Sequence, residues 1–444
     1  MTRIKGLGFD FGREFLLGKD SGYVQKAQNG LYFFMSSYHK FLTGVQMDSQ
    51  TWMMLSEKYL APTYARYPIV LVKGRGTRLW DMDGREYLDF VSGLAVCNLG
   101  HCHPKVVKAI QDQAEKLIHV SNFYYIEPQI RLASLLCQYS FADNVFFSNS
   151  GAEANEGGIK LARKHAKEKM RGDRYEIITM EHSFHGRTLA TLTATAQEKF
   201  HKGYSPLMPG FKYVPFNDPE AVKNAIDSKT CAVLVEPIQG EGGVNCPSEG
   251  YLKTLRKICD ETEILLIFDE VQVGMGRTGK LFAYEHEGVE PDMLTLAKSL
   301  AGGVPIGALL IKKEIAESFK PGDHASTFGG NPLATAAGVA ALTAILEEGM
   351  LENCKKVGDY FFYKLKEMKG RFPFIHEVRG RGLIIGMELK VDGSSIVKEM
   401  MGRGILINCT MGNVLRFLPP LIVTQEEVDQ MVRGLEEVFQ GIAC

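Results

Sequence analysis

The stretch Ile264-Leu265-Leu266-Ile267-Phe268-Asp269-Glu270-Val271-Gln272 joins five consecutive apolar residues to two carboxylates. A short apolar run without polar alternation is typical of a strand covered on both faces of a parallel sheet. In an open α/β sheet, ligands bind at the carboxyl ends of such strands. We therefore predict a buried strand over 264–268 with Asp269 at a binding crevice, although a helix or turn cap is an equal alternative for this carboxylate taken alone.

Similar apolar runs occur on both sides of this stretch and alternate with helical patterns. Strands are predicted over Glu176–Met180, Lys212–Phe216, Ala232–Val235, Ile264–Phe268, Met293–Leu296 and Ile306–Ile311. Helices are predicted over Pro104–Ile118, Pro219–Asp227, Glu249–Glu261, Pro332–Glu348 and Leu351–Lys369, with a capping box from Thr424 to Glu427. This alternation predicts an α/β domain with a mainly parallel sheet covered by helices, followed after about Thr327 by a smaller α+β domain.

Composition narrows the class of protein. The chain has 51 lysines and arginines against 52 acidic residues, so it lacks the cationic surplus of nucleic-acid-binding proteins. No apolar run approaches the roughly 18 residues of a membrane span. Nine cysteines at irregular spacing, without a CxxC pair, favour a reducing compartment. We expect a cytoplasmic protein that binds neither nucleic acid nor membrane; a mitochondrial presequence stays an open alternative, although Asp10, Glu14 and Asp20 are unusual in one.

Three further segments carry groups suited to chemistry. The segment Asn149–Glu156 follows an apolar run and opens a helix, so its free N–H groups favour a phosphate, although an ordinary helix start is the better interpretation of this segment alone. Lys298 follows a predicted strand, where it is either a solvated lysine or a desolvated amine able to attack a carbonyl. Phe184 could stack on a flat ligand and Arg187 could grip a carboxylate, but a core residue and a surface ion pair are the commoner roles.

Taken together, these motifs resemble those of the class III aminotransferases, which use pyridoxal phosphate. The motifs are NSGAEANE (149–156), HSFHGRT (182–188), EPIQGEGG (236–243), FDEVQVGMGRTG (268–279), LAKSLAGG (296–303) and STFGGNPLA (326–334). Their order and spacing are specific, and the resemblance runs from about Tyr59 to Phe439. Within the class, GHCHP (100–104), GEGG (240–243) and the segment 407–421 resemble most the enzymes that act on acetylornithine.

The resemblance implies a fold-type-I architecture and a set of cofactor contacts. Residues 47–100 and 327–444 would form the small domain, 101–326 the large cofactor-binding domain, and 1–46 an extension, with Met47 as an alternative start. Lys298 would hold pyridoxal phosphate covalently and move the substrate proton, and Asp269 would keep the ring nitrogen protonated. The remaining cofactor contacts would come from Gln272 on the ring hydroxyl, Phe184 on one ring face, Gly151 and Ala152 on the phosphate, and Thr327 of a neighbouring subunit. The site would therefore require a homodimer.

The resemblance also implies how two substrates share one site. Arg187 would bind the carboxylate of acetylornithine and Arg416 the α-carboxylate of 2-oxoglutarate, while Glu241 pairs with Arg416 when the amine donor is present. Ser326 would be a further substrate contact. The expected reaction is transfer of the terminal amino group of N-acetylornithine to 2-oxoglutarate in arginine biosynthesis.

Rival reactions remain within the same family. Ornithine and 4-aminobutyrate aminotransferases are the nearest alternatives, and a glutamate-1-semialdehyde aminomutase is a more distant one. Similar ornithine enzymes carry Tyr at the position of Leu94 and GEAG where this chain has GEGG at 240–243, which favours the acylated donor.

Two other motifs have simpler interpretations. Residues 274–279 fit GxGxxG, but no helix is predicted to open at their end, so a dinucleotide site is not expected. His101 and His103 are adjacent to Cys102, yet neighbouring residues do not easily converge on one ion. We predict no metal site and a turn ahead of the helix at Pro104.

Overall fold

The computed structural model describes residues 47–170 and 172–442, so the predicted extension over 1–46 lies outside the described residues. The strands are β1 Leu71–Arg75, β2 Arg78–Asp81, β3 Glu86–Asp89, β4 Asn144–Ser148, β5 Glu176–Met180, β6 Phe211–Val214, β7 Thr230–Val235, β8 Leu265–Asp269, β9 Met293–Leu296, β10 Gly307–Ile311, β11 Ile375–Arg381, β12 Ile384–Leu389, β13 Ile405–Leu406, β14 Asn408–Thr410 and β15 Val414–Phe417.

The helices lie between these strands. They are α1 Ser49–Tyr59, α2 Pro104–Ala114, α3 Glu127–Gln138, α4 Gly151–Lys169, α5 Leu189–Ala194, α6 Glu198–His201, α7 Pro219–Ala225, α8 Tyr251–Thr262, α9 Lys313–Ala316, α10 Pro332–Glu347, α11 Met350–Arg371, α12 Ser394–Gly402 and α13 Gln425–Gln440, with short 3-10 helices at Ala283–His286 and Lys298–Ala301. The predicted helices and strands are confirmed, with ends that differ by a few residues.

A small unit comprises residues 47–71 and 81–84 of the described chain. Its helix α1 begins after Asp48, whose side chain accepts a hydrogen bond from the Thr51 N–H at 2.8 Å. The Ser49 hydroxyl lies 3.1 Å from the carboxylate of Asp83. The first contact caps the first turn of α1, and the second attaches this turn to the segment 81–84. All the groups discussed below belong to the other unit, residues 72–80 and 85–442 of the described chain.

The large sheet confirms the predicted α/β architecture. Its strand order is β4-β10-β9-β8-β7-β5-β6, and the pairs from β9 through β6 are all parallel. Only β10 runs in the opposite direction, pairing antiparallel with both β9 and β4. The carboxyl ends of β8 and β9 therefore meet at one edge, as a ligand crevice requires.

Alternate residues of the parallel strands enter two different cores. On one face, Leu265 and Ile267 pack with the apolar residues of α4. On the other face, Leu266 and Phe268 join the larger core, which continues to α10 and α11. Because both faces are covered, the strands are apolar throughout, which explains why their pattern in the sequence is continuous rather than alternating.

Two smaller sheets complete this unit. One is antiparallel, with the order β11-β12-β15-β14, and the other has the order β1-β2-β3-β13 with β13 parallel to β3. The capping box predicted at Thr424 is present at the start of α13. The division of the chain at residues 100 and 326 stays a prediction.

Among the described residues, no single helix is long and apolar enough to cross a membrane; only α10 and α11 taken together, with a 63° bend between them, have the necessary length and composition.

A left-handed turn at Ser92–Ala95 precedes the crevice. Its φ angles are +45° at Ser92, +65° at Gly93, +66° at Leu94 and +61° at Ala95. Such a conformation costs roughly 1–2 kcal/mol for each residue with a side chain, so it needs support from its surroundings. The Asp89 carboxylate gives this support by accepting the N–H groups of Val91 and Ser92 at 2.8 and 3.0 Å.

His101 completes the support of this turn. Its Nε2 lies 2.6 Å from Oδ2 of Asp89. Burial alone would lower the pKa of His101, but the Asp89 carboxylate and the neighbouring Cys97 raise this pKa to about 10. The imidazolium and the carboxylate therefore form an ion pair beneath the turn, and His101 has a structural role rather than the role of a metal ligand.

Candidate active site

The carboxyl edge of the large sheet opens into a cavity of about 440 Å³. Asp269 is the last residue of β8, and Lys298 lies two residues beyond the end of β9. The predicted site residues that line the cavity are Gly151, Ala152, Phe184, Arg187, Glu241, Asp269, Gln272 and Lys298. The structure thus brings together groups from distant parts of the chain that the sequence associates only through motifs.

Asp269 is held by several donors. Its Oδ2 accepts a hydrogen bond from Nδ2 of Asn155 at 2.7 Å and lies 2.8 Å from Nδ1 of His185. Its Oδ1 accepts the Val271 N–H at 3.0 Å. Asn155 is itself fixed, because its Oδ1 accepts the Thr295 hydroxyl at 2.8 Å. The carboxylate is therefore oriented at the strand end, where its Oδ1 also caps the turn that follows.

Lys298 is the first residue of a 3-10 helix and has a φ of +40°. Its amine forms no hydrogen bond or ion pair with any described residue. Burial lowers the pKa of Lys298 to about 8 and the Arg416 cation lowers it as well, whereas Asp269 raises it. An amine with this pKa is neutral far more often near neutral pH than an ordinary lysine, and the neutral form can act as a nucleophile or a base.

The start of α4 forms one wall of the cavity. Ser150 is its N-cap, so the N–H groups of Gly151 and Ala152 have no acceptor within the helix and face an electropositive helix end. Gly186 packs directly on this turn, because a Cβ at residue 186 would lie 2.7 Å from the Cβ of Ala152. A Cβ at Gly151 would collide with Val271 at 2.7 Å. This close-packed cradle can receive a phosphate.

Arg416 on β15 is buried beside the cavity. Its Nη2 lies 3.0 Å from Oε2 of Glu241 and donates to Oδ1 of Asn408 at 2.7 Å. Burial lowers the pKa of Arg416, and the Glu241 carboxylate opposes this effect. A weaker contact joins Nη1 to Oε1 of Gln272 at 3.4 Å. Arg416 therefore forms an ion pair with a cavity residue without itself lining the cavity.

Arg187 presents a different kind of guanidinium. It is exposed, and it forms no hydrogen bond or ion pair with any described residue. Its Cζ lies 4.1 Å from the ring centroid of Phe200 and 5.5 Å from that of Phe184. Cation–π contact thus orients Arg187 without neutralising it. Arg416, beside the cavity, is therefore paired with a carboxylate, whereas Arg187, in the cavity wall, is available to bind an anion.

Ser326 and Thr327 lie outside the cavity of the single chain. The Ser326 hydroxyl accepts from Nδ2 of Asn149 at 3.2 Å, and Asn149 does line the cavity. Thr327 is exposed. Neither residue contacts the other predicted cofactor groups within one subunit.

Three polar residues of the site were quoted in motifs but given no role by the sequence analysis. They are Asn155, His185 and Glu236. Glu236 accepts the N–H groups of Phe184 at 3.0 Å and Gly240 at 3.3 Å, which ties two cavity loops together. Burial raises the pKa of Glu236 to about 7, while His185 opposes this rise. The available signal for Asn155, His185 and Glu236 was that each is a polar residue in a motif next to a buried apolar strand.

The remaining motifs are structural. Arg277, inside the GxGxxG match, is fully buried and donates to the carbonyl of Leu383 at 3.0 Å and to Asn98. His103 lies 3.1 Å from Glu348. Within residues 47–170 and 172–442, no group of three potential ligands is arranged to hold a metal ion.

Comparison with known proteins defines the family. The family model for aminotransferase class-III matches residues 59–439. The acetylornithine aminotransferase of Caldanaerobacter subterraneus subsp. tengcongensis is 57% identical over 387 residues, which cover 87% of this chain and 98% of the relative. That of Methanocaldococcus jannaschii is 54% identical over 396 residues, or 89% of this chain and 100% of the relative. The chain belongs to the class-III aminotransferases.

The solved structures agree with this assignment. A structure of the ornithine aminotransferase from Toxoplasma gondii, with PLP partially occupying its active site, is 36% identical and has a TM-score of 0.86. The match covers 90% of this chain and 97% of that chain. The predicted family and the predicted fold class are therefore confirmed.

Proposed function

We propose that this enzyme transfers the terminal amino group of N-acetylornithine to 2-oxoglutarate, giving N-acetylglutamate 5-semialdehyde and glutamate, as a cytoplasmic homodimer of arginine biosynthesis. The observation that carries the proposal is the contrast between two arginines at one cavity. Arg187 is unpaired among the described residues, whereas Arg416 is paired with Glu241. Two carboxylate substrates of different shape can use such a site in turn. The relatives at 57% and 54% identity, named acetylornithine aminotransferases, support the choice of donor.

The residues fit the pyridoxal phosphate of the family. An unpartnered amine at Lys298, an oriented carboxylate at Asp269 and a phosphate cradle at Gly151 and Ala152 surround the same cavity. When bound, the cofactor accepts the amino group and stabilises negative charge on the reacting substrate carbon. The site residues supply binding, orientation and proton transfer.

Each of these residues has a proposed task. Lys298 attaches the cofactor and then, as a free amine, moves the proton of the reacting carbon. Asp269 holds a proton on the ring nitrogen, with its oxygens fixed by Asn155 and His185. Gln272 would hydrogen-bond the ring hydroxyl, and Phe184 would stack on the ring, since both side chains line the cavity.

The substrate groups act in sequence. Arg187 binds the donor carboxylate at the cavity, where its lack of an acidic partner leaves its full charge available. Glu241 neutralises Arg416 during this half-reaction. When 2-oxoglutarate enters, its α-carboxylate takes the place of Glu241 on Arg416, and Ser326 contributes a further contact.

The homodimer is proposed because Thr327, the phosphate contact that the family resemblance implies, is exposed outside the cavity of its own chain. Its neighbour Phe328 is 60% exposed, and Phe123 and Tyr125 are 92% and 98% exposed. Apolar surface of this kind is typical of a protein interface. A second copy that covers these aromatic residues would deliver Thr327 to the other site.

A stopped-flow panel of amine donors tests the function. Purified holoenzyme is mixed separately with acetylornithine, ornithine and 4-aminobutyrate, and the loss of near-visible cofactor absorbance gives each specificity constant. Acetylornithine is expected to react most efficiently. A higher constant for ornithine or 4-aminobutyrate would overturn the donor assignment, and turnover of glutamate 1-semialdehyde without 2-oxoglutarate would indicate an aminomutase.

A further inference from the structure

The loop Gly240–Gly243, here called the GEGG loop, is held from outside the cavity by Arg379 of β11. Nη2 of Arg379 donates to the Gly243 carbonyl at 2.8 Å, and Nε donates to the carbonyls of Gly243 and Val244, both at 3.1 Å. A guanidinium that grips two consecutive carbonyls fixes the path of the backbone. The end of the loop is therefore attached to the C-terminal antiparallel sheet.

The other edge of the same guanidinium is also fixed. Nη1 of Arg379 lies 2.9 Å from the carboxylate of Glu377 and also pairs with Glu388, which is opposite Glu377 in the β11–β12 ladder. Neither carboxylate lines the cavity. Arg379 is thus charge-compensated on the sheet and directs its remaining N–H groups at the loop.

The glycines of the GEGG loop match this arrangement. Gly243 has a φ of +115°, and a Cβ at this position would lie 3.3 Å from Nη2 of Arg379. A Cβ at Gly240 would overlap Oε1 of Gln272, and one at Gly242 would lie 2.3 Å from the His182 carbonyl oxygen. Glycine fits these three positions because the neighbouring groups leave no room for a side chain at residues 240 and 242, and because the backbone at residue 243 has a conformation that favours glycine.

Glu241 is the residue that this loop presents. The Thr410 hydroxyl donates to its backbone carbonyl, which fixes the backbone on a second side. Its side chain remains one-third exposed and reaches Arg416 at 3.0 Å. Hydrogen bonds therefore hold the backbone on two sides, whereas the Glu241 side chain is held only by its contact with Arg416.

We propose that Arg379 is a positioning residue that sets the Glu241–Arg416 ion pair and so determines how well the enzyme discriminates its amine donor from α-amino acids. The inference rests on the proposed function, in which Glu241 covers Arg416 until an α-carboxylate replaces it. With Arg379 in place, Glu241 returns to Arg416 after every turnover. Without the anchor, Arg416 is left open to any α-carboxylate.

The test compares two specificity constants in the holoenzyme. Stopped-flow half-reactions with acetylornithine and with L-glutamate give the discrimination ratio of each variant. A mutation in a network of residues that links two sites changes the effect of one site on the other by about 2- to 30-fold. The discrimination ratio of Arg379→Gln is therefore expected to be about 3- to 30-fold lower than that of wild type. Arg379→Lys, which keeps the charge but not the planar fork, is expected to show a smaller fall.

Two controls separate positioning from general damage. Arg381→Gln changes another arginine of β11 that makes no hydrogen bond to the loop, and its ratio is expected to stay within about twofold of wild type. In a Glu241→Ala background, Arg379→Gln is expected to have no further effect, because the group that it positions is gone. Thermal unfolding and the cofactor spectrum show whether each variant is folded and loaded.

An unchanged ratio in folded Arg379→Gln, or an equal fall with and without Glu241, would overturn the proposal. If Arg379→Gln does not fold, Arg379→Lys decides, and an unchanged ratio there is equally contrary. If wild type prefers another ω-amine donor, the proposed donor fails, but the ratio measured with that donor still tests Arg379.

Discussion

Nδ1 of His185 lies 2.8 Å from Oδ2 of Asp269, while the other ring nitrogen of this histidine is buried without a hydrogen-bond partner among the described residues. Among the described residues, the imidazole ring of His185 therefore forms a hydrogen bond only with the Asp269 carboxylate. Together with Asn155 it holds Asp269 in one orientation at the end of β8. A carboxylate fixed in this way can hold a proton on a cofactor ring at a defined place.

We expect Asp269→Asn to retain the cofactor but to slow transamination by about 10²- to 10³-fold, the usual loss when one preorganised electrostatic group is removed. A neutral amide cannot keep the ring nitrogen protonated, so the cofactor would stabilise negative charge poorly. Single-turnover absorbance with acetylornithine measures the rate. Near-normal turnover in the loaded variant would refute this role.

The pKa of about 8 at Lys298 predicts a pH dependence for cofactor attachment. This pKa lies below the ordinary value for lysine, so the neutral amine predominates above about pH 8 and the protonated form below it. The rate at which cofactor-free enzyme gains near-visible absorbance is expected to rise through about pH 8 and then level off. Lys298→Ala is the control and should gain no such absorbance. Borohydride labelling of any other lysine would contradict the assignment.

Arg187→Ala is expected to raise the KM for acetylornithine more than tenfold. The lost charge-assisted contacts are each worth about 1.5–3 kcal/mol. Arg187→Lys is the matched control, since it keeps a charge without the bidentate fork. The KM for 2-oxoglutarate should change much less, and equal damage to both substrates would argue against separate arginine sites.

Gly242→Ala is expected to lower the free energy of unfolding by about 1–3 kcal/mol, as overpacking of a tight site does. The new Cβ would lie 2.3 Å from the His182 carbonyl oxygen, so backbone must move. Gly370→Ala, near the end of α11, is the control: a Cβ at residue 370 meets nothing within 4 Å, and alanine is favoured over glycine in a helix by up to about 1 kcal/mol, so this variant should be no less stable than wild type. Chemical denaturation of both variants measures the difference, and equal stability would show that the loop relaxes freely.

The Asp89–His101 ion pair predicts that stability depends on pH. The folded-state pKa of His101 is raised to about 10, so the stabilisation is fully present below the unfolded value and is lost as pH rises through about 10. The stability difference between wild type and His101→Gln is therefore expected to be largest near pH 6 and to shrink towards pH 10. Denaturation curves at several pH values check this. A difference that grows with pH would reverse the assignment.

Much of the fold could be predicted because its strands are buried on both faces. Glu176–Met180 and Met293–Leu296 coincide with β5 and β9, since continuous apolar runs leave no ambiguity of face. The reversed direction of β10 could not be predicted. Its sequence is as apolar as its neighbours, and direction depends on pairing with β4, a strand far away in the chain.

In the site, too, some residues could be predicted from the sequence and others could not. Asp269 and Lys298 could be singled out because each is a charged residue at or just beyond the end of a buried strand, and the family resemblance supplied their expected roles. His185 and Glu236 were missed because Asp269, the partner of His185, and Phe184, a partner of Glu236, lie 84 and 52 residues away in the chain. No local spacing signals such contacts. The ion pair of Arg416 with Glu241 was expected only from the family resemblance, and its geometry supports the proposed alternation without testing it.

The left-handed turn at Ser92–Ala95 makes this segment respond differently to two kinds of selection. Three of its residues carry side chains in a conformation that glycine adopts without penalty, and Val96, directly after the turn, lines the cavity. Of these three, only Leu94 has an exposed side chain, so a library screened only for heat resistance should accumulate glycine or asparagine at position 94. Under the proposed function, a library selected for growth without supplied arginine should instead retain Leu94, so the two populations would diverge at this codon.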